Sequence, residues 1–486
     1  MDPFASATSL VAAILAGELS AVEALEAQLA RVADIDPQLG AVVALDTERA
    51  RADAAAADAA RARGESAGPL QGLPMTIKDS WETEGLVTAC GTPALAGHVP
   101  AADAPAVARL RAAGAVIFGK TNAPFMASDV QTYNDVYGTT RNPWDLERTP
   151  GGSSGGAAAA LAAGLTALEL GSDIGGSIRT PASWCGVYGH KTSYGIVPQR
   201  GHIPGLPGTL VEADLNVAGP LARSAEDLDL ALGILAGPDR WDVRAWRLEL
   251  PAPRATALRD FRVAAWLEDP ACPVDDAVRA RLEALVEALR GAGVAVDADA
   301  RPALTLADAG GAYLPLLGAV IGAGLPAEVY DRLLALVADA DPDDDSPLVR
   351  YARALTVSAR DRLFMDGWRQ QQRAAWADFF ERYDVLLMPV TVVPAIPHDH
   401  SDPIPARTIT VNAEERSYLD LFGWIAPASA ALLPATAAPA GATAGGLPVG
   451  VQIVGPFLED RTPIAFARAL AEVAGGFVPP PALARA

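Results

Sequence analysis

Two serines set in glycine-rich loops are the residues of this chain that are best suited to covalent chemistry. Ser153 lies in the run PGGSSGG at 150–156, and Ser177 ends the run DIGGS at 173–177. Glycines beside a serine let the backbone adopt left-handed angles and let a ligand approach it closely. Both loops are therefore candidate places for a substrate to meet a serine hydroxyl.

The chain between the two serines predicts that they lie close together. A helix of about ten residues after Ser154 would advance about 15 Å. A strand of about five residues at 166–170 would then cover about 17 Å on the way back. We therefore expect Ser153 and Ser177 to be neighbours.

A serine that transfers an acyl group needs a base, and neither glycine-rich loop contains a histidine. The chain has only three lysines among its 38 basic residues, and one of them, Lys78, follows the short apolar run at 75–77. We expect this run to be a buried strand. Burial disfavours an ammonium ion and lowers its pKa, so a lysine at the end of a buried strand can be a neutral base.

These residues predict a serine hydrolase with a lysine in place of histidine. Lys78 is the predicted base, Ser153 the proton relay and Ser177 the nucleophile. Backbone N–H groups next to the nucleophile would stabilise the oxyanion. The predicted oxyanion hole consists of the N–H group of the nucleophile and those of the three residues before it, Ile174, Gly175 and Gly176. The alternative for Lys78 is a solvated lysine at a strand end.

The elements that must position these residues alternate between helices and short apolar strands. A helical segment at 105–114 is followed by an apolar strand at 115–118, and further apolar strands are expected at 383–390 and 449–454. Such alternation is typical of a buried sheet with helices on its faces. We predict an α/β fold with a mixed central β-sheet covered by helices.

The composition limits the partners and the compartment. A net charge of −21 argues against a nucleic-acid partner, because affinity for nucleic acid depends on clustered Lys and Arg. Three widely spaced cysteines without a CxxC pair exclude a disulfide framework and a thiolate zinc site. The apolar stretch at 10–17 is short for a signal peptide, and the uncharged stretch at 421–458 contains prolines that exclude one membrane helix. We expect a cytoplasmic protein without a membrane partner.

Seven motifs, in order along nearly the whole chain, resemble those of the amidase signature family. This family includes fatty acid amide hydrolase, aryl acylamidases, urethane-cleaving amidases and the A subunit of the glutamyl-tRNA amidotransferase. The motifs are GLPMTIKD at 72–79, GKTNAP at 119–124, PGGSSGG at 150–156, GSDIGGSIR at 171–179, CGVYG at 185–189, DVLLMP at 384–389 and GLPVGVQ at 446–452. The departures at Ala157, His190 and Thr192 replace no member of the triad.

The resemblance implies a Ser–cis-Ser–Lys triad, with Lys78 as the lysine, Ser153 as the cis serine and Ser177 as the nucleophile. The cis peptide bond would join Gly152 to Ser153. The implied reaction is hydrolysis of a carboxamide or a related C–N bond, carbamates included, through an acyl-enzyme. Neither a metal nor an organic cofactor is implied. The expected partner is a small-molecule amide, with no nucleic acid and no membrane, and the expected state is a monomer or homodimer.

The resemblance also implies where the substrate lies. Ala127 and Tyr133 are expected on the acyl side of the pocket, and the apolar run at 125–127 favours aryl or acyl amides. A single amidase domain is expected at 1–486. Its core would lie at about 65–225 and 380–475, and a variable helical region on the substrate side at about 240–380.

Other functions remain open at this point. The A subunit of a glutamyl-tRNA amidotransferase shares the motifs, although the acidic charge disfavours it. A histidine-dependent α/β-hydrolase esterase would combine GxSxG at 151–155 or 152–156 with His202, His398 or His400, but no apolar strand precedes either motif. An inactive, binding-only relative is a further alternative. The phosphate-loop pattern GxxxxGKT at 114–121 contains bulky apolar residues and predicts a strand and turn instead.

Overall fold

The computed structural model describes residues 1–483 and confirms an α/β fold with a mixed central β-sheet covered by helices. In chain order the strands are β1 (Val42–Leu45), β2 (Pro74–Lys78), β3 (Val116–Thr121), β4 (Tyr133–Asn134), β5 (Gly138–Thr139), β6 (Leu168–Asp173), β7 (Tyr188–Lys191), β8 (Val217–Ala222), β9 (Val263–Ala265), β10 (Val296–Asp297), β11 (Val385–Pro389), β12 (Thr408–Val411), β13 (Glu414–Ser417), β14 (Ala435–Ala442) and β15 (Pro448–Val454). Within residues 1–483 the central sheet has eleven strands, in the order β1-β3-β2-β6-β8-β7-β14-β15-β11-β9-β10.

Helices cover both faces of this sheet. In chain order they are α1 (Ala7–Ala16), α2 (Ala21–Leu39), α3 (Thr47–Ala62), α4 (Pro105–Ala112), α5 (Gly155–Ala162), α6 (Arg179–Cys185), α7 (Ala225–Leu235), α8 (Asp276–Gly291), α9 (Leu306–Ala323), α10 (Ala327–Asp339), α11 (Pro347–Leu355), α12 (Ala359–Arg382), α13 (Ala426–Ala430) and α14 (Arg461–Ala474). The apolar strands lie between them, and this explains why so many strand residues are fully buried.

The parallel part of the sheet brings the first half of the site together. β2 pairs in parallel with β3 on one side and with β6 on the other. Parallel neighbours need a crossover connection, which α4 supplies before β3 and α5 supplies before β6. The carboxyl ends of β2 and β6 therefore lie at the same edge of the sheet.

The predicted chain reversal between the two serine loops is present. α5 has eight residues and is buried along its whole length, because its Gly, Ala and Leu side chains are small or apolar. The return strand β6 covers residues 168–173 rather than 166–170. The strand thus ends directly before the second serine loop.

The middle of the chain contributes helices and two strands. α8 to α12 lie between residues 276 and 382, in the range expected to be helical. The same range also supplies β9 and β10, which extend the sheet at one edge through parallel pairing with each other and with β11. Short strands of two or three residues are difficult to identify in a sequence because they have too few positions to show a period.

α9 is the most apolar long helix of this region. It has 18 residues and a mean hydropathy of 1.4, so by length and composition alone it could cross a membrane. In this fold 44% of the helix is buried inside the protein. Two glycines lie against α11, since a Cβ added at Gly318 would lie 2.3 Å from the Ala354 carbonyl oxygen and one at Gly322 would lie 2.0 Å from that of Leu355. The absence of side chains at these two positions lets the helices touch.

Candidate active site

The carboxyl ends of β2 and β6 form the base of the candidate site. The register pairs Ile77 with Leu170, so that Lys78, the last residue of β2, lies beside the end of β6. Ligands of open α/β sheets bind outside the carboxyl ends of the parallel strands. The predicted base therefore lies where such a fold places its ligands.

Lys78 is completely buried and contacts the predicted relay. Its Nζ lies 2.7 Å from Oγ of Ser153. Burial lowers the pKa of Lys78 to about 7, although the nearby Asp173 and Glu169 favour the charged form. A substantial fraction of the amine is therefore neutral near pH 7 and can accept the serine proton.

The structure adds one residue that the sequence analysis missed. Nζ of Lys78 also lies 3.0 Å from Oγ of Ser172 on β6. Ser172 is thus a second hydroxyl partner of the amine. It could be found only from the register of β2 against β6, which the residue pattern of a buried strand does not specify.

The two serine loops lie against each other, as the chain reversal predicts. The backbone N–H of Ser154 donates to the carbonyl oxygen of Ser177 at 3.0 Å, and the Gly152–Ser153 peptide bond is cis. The first loop passes directly beneath another segment, since a Cβ at Gly156 would lie 2.3 Å from the backbone nitrogen of Asn122. A residue larger than glycine would push the helix that follows Ser153 out of place.

A buried ion pair holds the second serine loop. The Asp173 carboxylate accepts the backbone N–H of Gly176 at 2.9 Å and the guanidinium of Arg179 at 2.8 and 3.0 Å. Neither side chain is exposed to solvent. Burial alone would raise the pKa of Asp173, but the Arg179 guanidinium outweighs it and lowers the pKa to about 2. The carboxylate is therefore a permanent acceptor for the loop.

The contact with Asp173 changes the predicted oxyanion hole. The N–H of Gly176 is already used and points to the carboxylate, not to a substrate. The N–H groups of Ile174, Gly175 and Ser177 donate to no acceptor within residues 1–483. Three of the four predicted donors are therefore open, whereas the N–H of Gly176 fixes the turn, and a role of the three as an oxyanion hole stays a prediction.

The two residues expected in the substrate pocket lie on the segment after β3. Ala127 is half-buried with a left-handed φ of 54°. The hydroxyl of Tyr133 accepts a hydrogen bond from Arg407 at 2.7 Å, and its ring stacks on His400 with centroids 3.7 Å apart. Arg407 in turn pairs with buried Asp129 at 2.7 Å. The polar group of Tyr133 is thus engaged inside the protein, and contact of either residue with substrate stays a prediction.

Among residues 1–483, the histidines that an esterase would need do not contact the loop serines through hydrogen bonds. In the part of the chain that the structure describes, neither His398 nor His400 hydrogen-bonds to a serine of the two loops. Burial and the charge of Lys78 lower the pKa of His202, whose ring packs on Trp81 with centroids 4.4 Å apart. The amine of Lys78 is therefore the basic group that contacts a loop serine.

Comparison with known proteins agrees with the motifs and the fold. The sequence model of the family described as Amidase matches residues 23–463. This chain belongs to the amidase signature family. Cleavage of an amide C–N bond is the general chemistry that this membership assigns to it.

Three similar proteins show how close the likeness is. The chain is 34% identical over 471 residues to the A subunit of glutamyl-tRNA(Gln) amidotransferase from Roseiflexus sp. (strain RS-1), covering 93% of this chain and 92% of that protein. A structure from a vestigial protein complex related to an s-triazine catabolic enzyme has a TM-score of 0.81 and 30% identity, covering 98% of this chain and 100% of its own. A bacterial aryl acylamidase has a TM-score of 0.79 and 25% identity, covering 97% and 96%.

These relatives correct the prediction about partners. We expected a small-molecule amide as the partner, with no nucleic acid and no membrane, and a monomer or homodimer. That prediction is wrong, because relatives over more than nine-tenths of the chain are named as one component of a tRNA amidotransferase. Net charge is a sum over one chain, and it does not tell which component of an assembly meets the nucleic acid.

Proposed function

We propose that this member of the amidase family cleaves a carboxamide C–N bond through an acyl-enzyme on Ser177. The observation that carries the proposal is the buried amine of Lys78, whose pKa is lowered to about 7, with its Nζ 2.7 Å from Oγ of Ser153. Ser153 in turn belongs to a loop that is hydrogen-bonded to the backbone of Ser177. The backbones of the two serine loops are thus in contact, and this supports a proton path from Ser177 through Ser153 to Lys78.

The acylation step uses these groups in sequence. Neutral Lys78 takes the proton of Ser153, and Ser153 takes the proton of Ser177 as the Ser177 oxygen attacks the carbonyl carbon. The negative charge on the carbonyl oxygen is met by the free N–H groups of the second loop. The C–N bond then breaks, and the proton on Lys78 returns through Ser153 to the leaving nitrogen.

Deacylation repeats the relay with a second nucleophile. Water, or another acceptor of the acyl group, gives its proton to the relay and attacks the ester carbon, after which Ser177 leaves and recovers its proton. Each N–H donor to the oxyanion contributes about 2.7–4 kcal/mol to transition-state stabilisation. The free amides of Ile174, Gly175 and Ser177 can supply that contribution.

The names of the relatives support a first setting, in which the chain works as a subunit of an amidotransferase. Proteins 33–36% identical to this chain, over more than nine-tenths of its length, are named as the A subunit of glutamyl-tRNA(Gln) amidotransferase. In such a setting the nitrogen released at Ser177 is transferred to an acceptor in an assembly with other proteins. A primary carboxamide such as that of free glutamine is then the donor, and the isolated chain is slow without its partners.

The likeness to an aryl acylamidase supports a second setting, an amidase that acts on apolar amides. That structure is 25% identical to this chain and covers 97% of it. The run at 125–127, on the segment expected along the acyl side, is apolar, and Phe125 is exposed. Aryl amides, acyl amides and carbamates are the substrates of this second setting.

A covalent label tests the shared chemistry. A fluorophosphonate added to the full-length protein should give one adduct, and peptide mass spectrometry should place it on Ser177. The adduct should be lost in Ser177→Ala and retained in the neighbouring control Ser154→Ala. An adduct on Ser154, or no adduct with a folded protein, would contradict the proposal.

A substrate panel separates the two settings. The purified chain is assayed with glutamine, a 4-nitroanilide, a fatty amide and an alkyl carbamate, and Ser177→Ala serves as the blank. Turnover of the anilide or the carbamate by the purified chain supports the second setting. Release of ammonia from glutamine that rises when the chain is purified with its partner proteins and tRNA supports the first.

A further inference from the structure

Tyr313 connects the middle region of the chain to the second serine loop. It lies on α9 and is only 2% exposed. Its hydroxyl donates to the carbonyl oxygen of Ile174 at 3.0 Å. Burial raises the pKa of the Tyr313 phenol far above its ordinary value, so the group keeps its proton and remains a donor.

This hydrogen bond fixes the peptide group that joins Ile174 to Gly175. In a trans peptide the carbonyl oxygen and the N–H point in opposite directions. The carbonyl of Ile174 points to Tyr313, and the N–H of Gly175 therefore points away from α9. That N–H donates to no acceptor within residues 1–483, and it is the central member of the open oxyanion hole.

The next peptide of the loop has its own anchor. The N–H of Gly176 donates to Asp173, and the φ of Gly176 is +87°, a conformation that glycine adopts without strain. Two consecutive glycines leave the loop free to turn unless both peptides are held. Asp173 holds the peptide between Gly175 and Gly176, and Tyr313 holds the one before it.

We propose that Tyr313 is a positioning residue of the oxyanion hole, which orients and polarises the N–H of Gly175 through the carbonyl of Ile174. A hydrogen bond to the carbonyl strengthens the N–H of the same peptide as a donor, because hydrogen bonds in a chain polarise one another. The inference rests on the proposed acyl-enzyme at Ser177. It assigns to α9, which lies outside all seven motifs, a direct part in the geometry of the hole.

The packing of α9 makes this anchor rigid. Tyr313 belongs to an apolar cluster with Leu316 and Leu317 of the same helix, with Phe422 packed against it. On another side, Gly318 lies against the backbone of α11. A hydroxyl carried by such a helix keeps its place while the substrate binds and leaves.

The test is Tyr313→Phe, which removes the hydroxyl and keeps the ring. A neutral hydrogen bond contributes about 0.5–1.5 kcal/mol, so kcat should fall about twofold to tenfold. KM should stay unchanged, because the hole acts on the charge that develops in the transition state. Activity is measured with the amide that the wild type turns over best. The Ki of a boronic acid, whose tetrahedral adduct fills the hole, should rise by the same factor.

Tyr194→Phe is the matched control. Tyr194 packs against the same apolar cluster, and its hydroxyl makes no hydrogen bond to the loop in residues 1–483. Its kcat and boronate Ki should equal those of the wild type. Active sites are counted with the fluorophosphonate, so that kcat refers to folded sites even if part of a variant misfolds.

The outcomes separate this inference from the function on which it rests. If wild type forms an adduct at Ser177 and Tyr313→Phe keeps the wild-type kcat per labelled site and boronate Ki, the inference is wrong and the proposed function stands. An equal loss in Tyr194→Phe also contradicts the inference. If the wild type forms no adduct at Ser177, both are wrong.

Discussion

Lys78 and Lys191 lie in different parts of the same sheet and differ in what surrounds their amines. Both side chains are fully buried, and burial lowers the pKa of each to about 7. Nζ of Lys78 meets the hydroxyls of Ser153 and Ser172. Nζ of Lys191 meets the carbonyl oxygens of Leu433, at 2.8 Å, and of Thr192, at 3.2 Å. A carbonyl has no proton to give, so a lowered pKa alone does not make a base.

Lys120, the third lysine, sharpens the comparison because it also contacts hydroxyls. Its Nζ lies 2.9 Å from Oγ1 of Thr83 and 3.1 Å from that of Thr88. Both threonine hydroxyls donate to carbonyl oxygens, of Trp81 and of Leu86, and can only accept from the lysine. Oγ of Ser153, in contrast, has no hydrogen-bond partner other than Lys78 among the described residues. Its proton is free to move.

The largest expected effect separates Lys78 from Lys191. Removal of a general base lowers the rate by about 10²–10⁴-fold, and we expect a loss of this size in kcat for Lys78→Met. Lys191→Met removes only contacts with carbonyl oxygens. A carbonyl left unpaired lowers the free energy of unfolding by about 1–3 kcal/mol and does not weaken binding of the transition state. The kcat of Lys191→Met should therefore stay within about tenfold of wild type.

The two variants are compared by kcat per fluorophosphonate-labelled site or, if Lys78→Met no longer labels, per folded protein by circular dichroism. Methionine has nearly the length of lysine and suits a buried position. Equal losses in both variants would contradict the distinction between the two amines. A Lys78→Met protein with nearly wild-type kcat would remove Lys78 from the mechanism altogether.

The second effect is the pH dependence of activity. Only the neutral amine can take a proton, and burial lowers the pKa of Lys78 to about 7. The rate constant kcat/KM should therefore rise about tenfold per pH unit below pH 7 and level off above it. Lys191→Met should keep this midpoint. Initial rates between pH 5 and pH 9 check it, and a kcat/KM that still rises about tenfold per unit between pH 8 and pH 9 would contradict a base with a pKa of about 7.

The comparison also shows what the sequence could predict. Lys78, Ser153 and Ser177 could be singled out as candidates because lysine is rare here and because glycines mark the loops, and their catalytic roles stay predictions. The alternation of helices and apolar strands predicted the α/β fold. A rare lysine alone was insufficient, however, because Lys191 is equally rare and equally buried.

The missed contacts depend on distances in space that no local pattern contains. Ser172 reaches Lys78 through the register of two strands, and Asp173 takes the amide of Gly176 through the shape of one turn. Tyr313 reaches the loop from a helix far along the chain. Each is a common residue type at an ordinary position, and only packing gives it a role.

The smallest expected effect concerns stability and belongs to Lys191. Its pKa is about 7 in the folded protein, against an ordinary value of 10.5 for an exposed lysine. Between these values the unfolded chain binds the proton and the folded chain does not, so the free energy of unfolding rises with pH by at most about 1.4 kcal/mol per unit. Below pH 7 both states are protonated, and this gain in stability is lost.

Lys191→Met removes this rise of the free energy of unfolding with pH. The similar rise that comes from Lys78 is present in both wild type and Lys191→Met. Urea unfolding at pH 7 and pH 9 should therefore show that wild type gains stability relative to Lys191→Met by up to about 2–3 kcal/mol as the pH rises. A constant difference between the two proteins would mean that Lys191 stays charged in the fold. Lys78 and Lys191 would then differ in pKa, and the two amines would differ in their charge as well as in their hydrogen-bond partners.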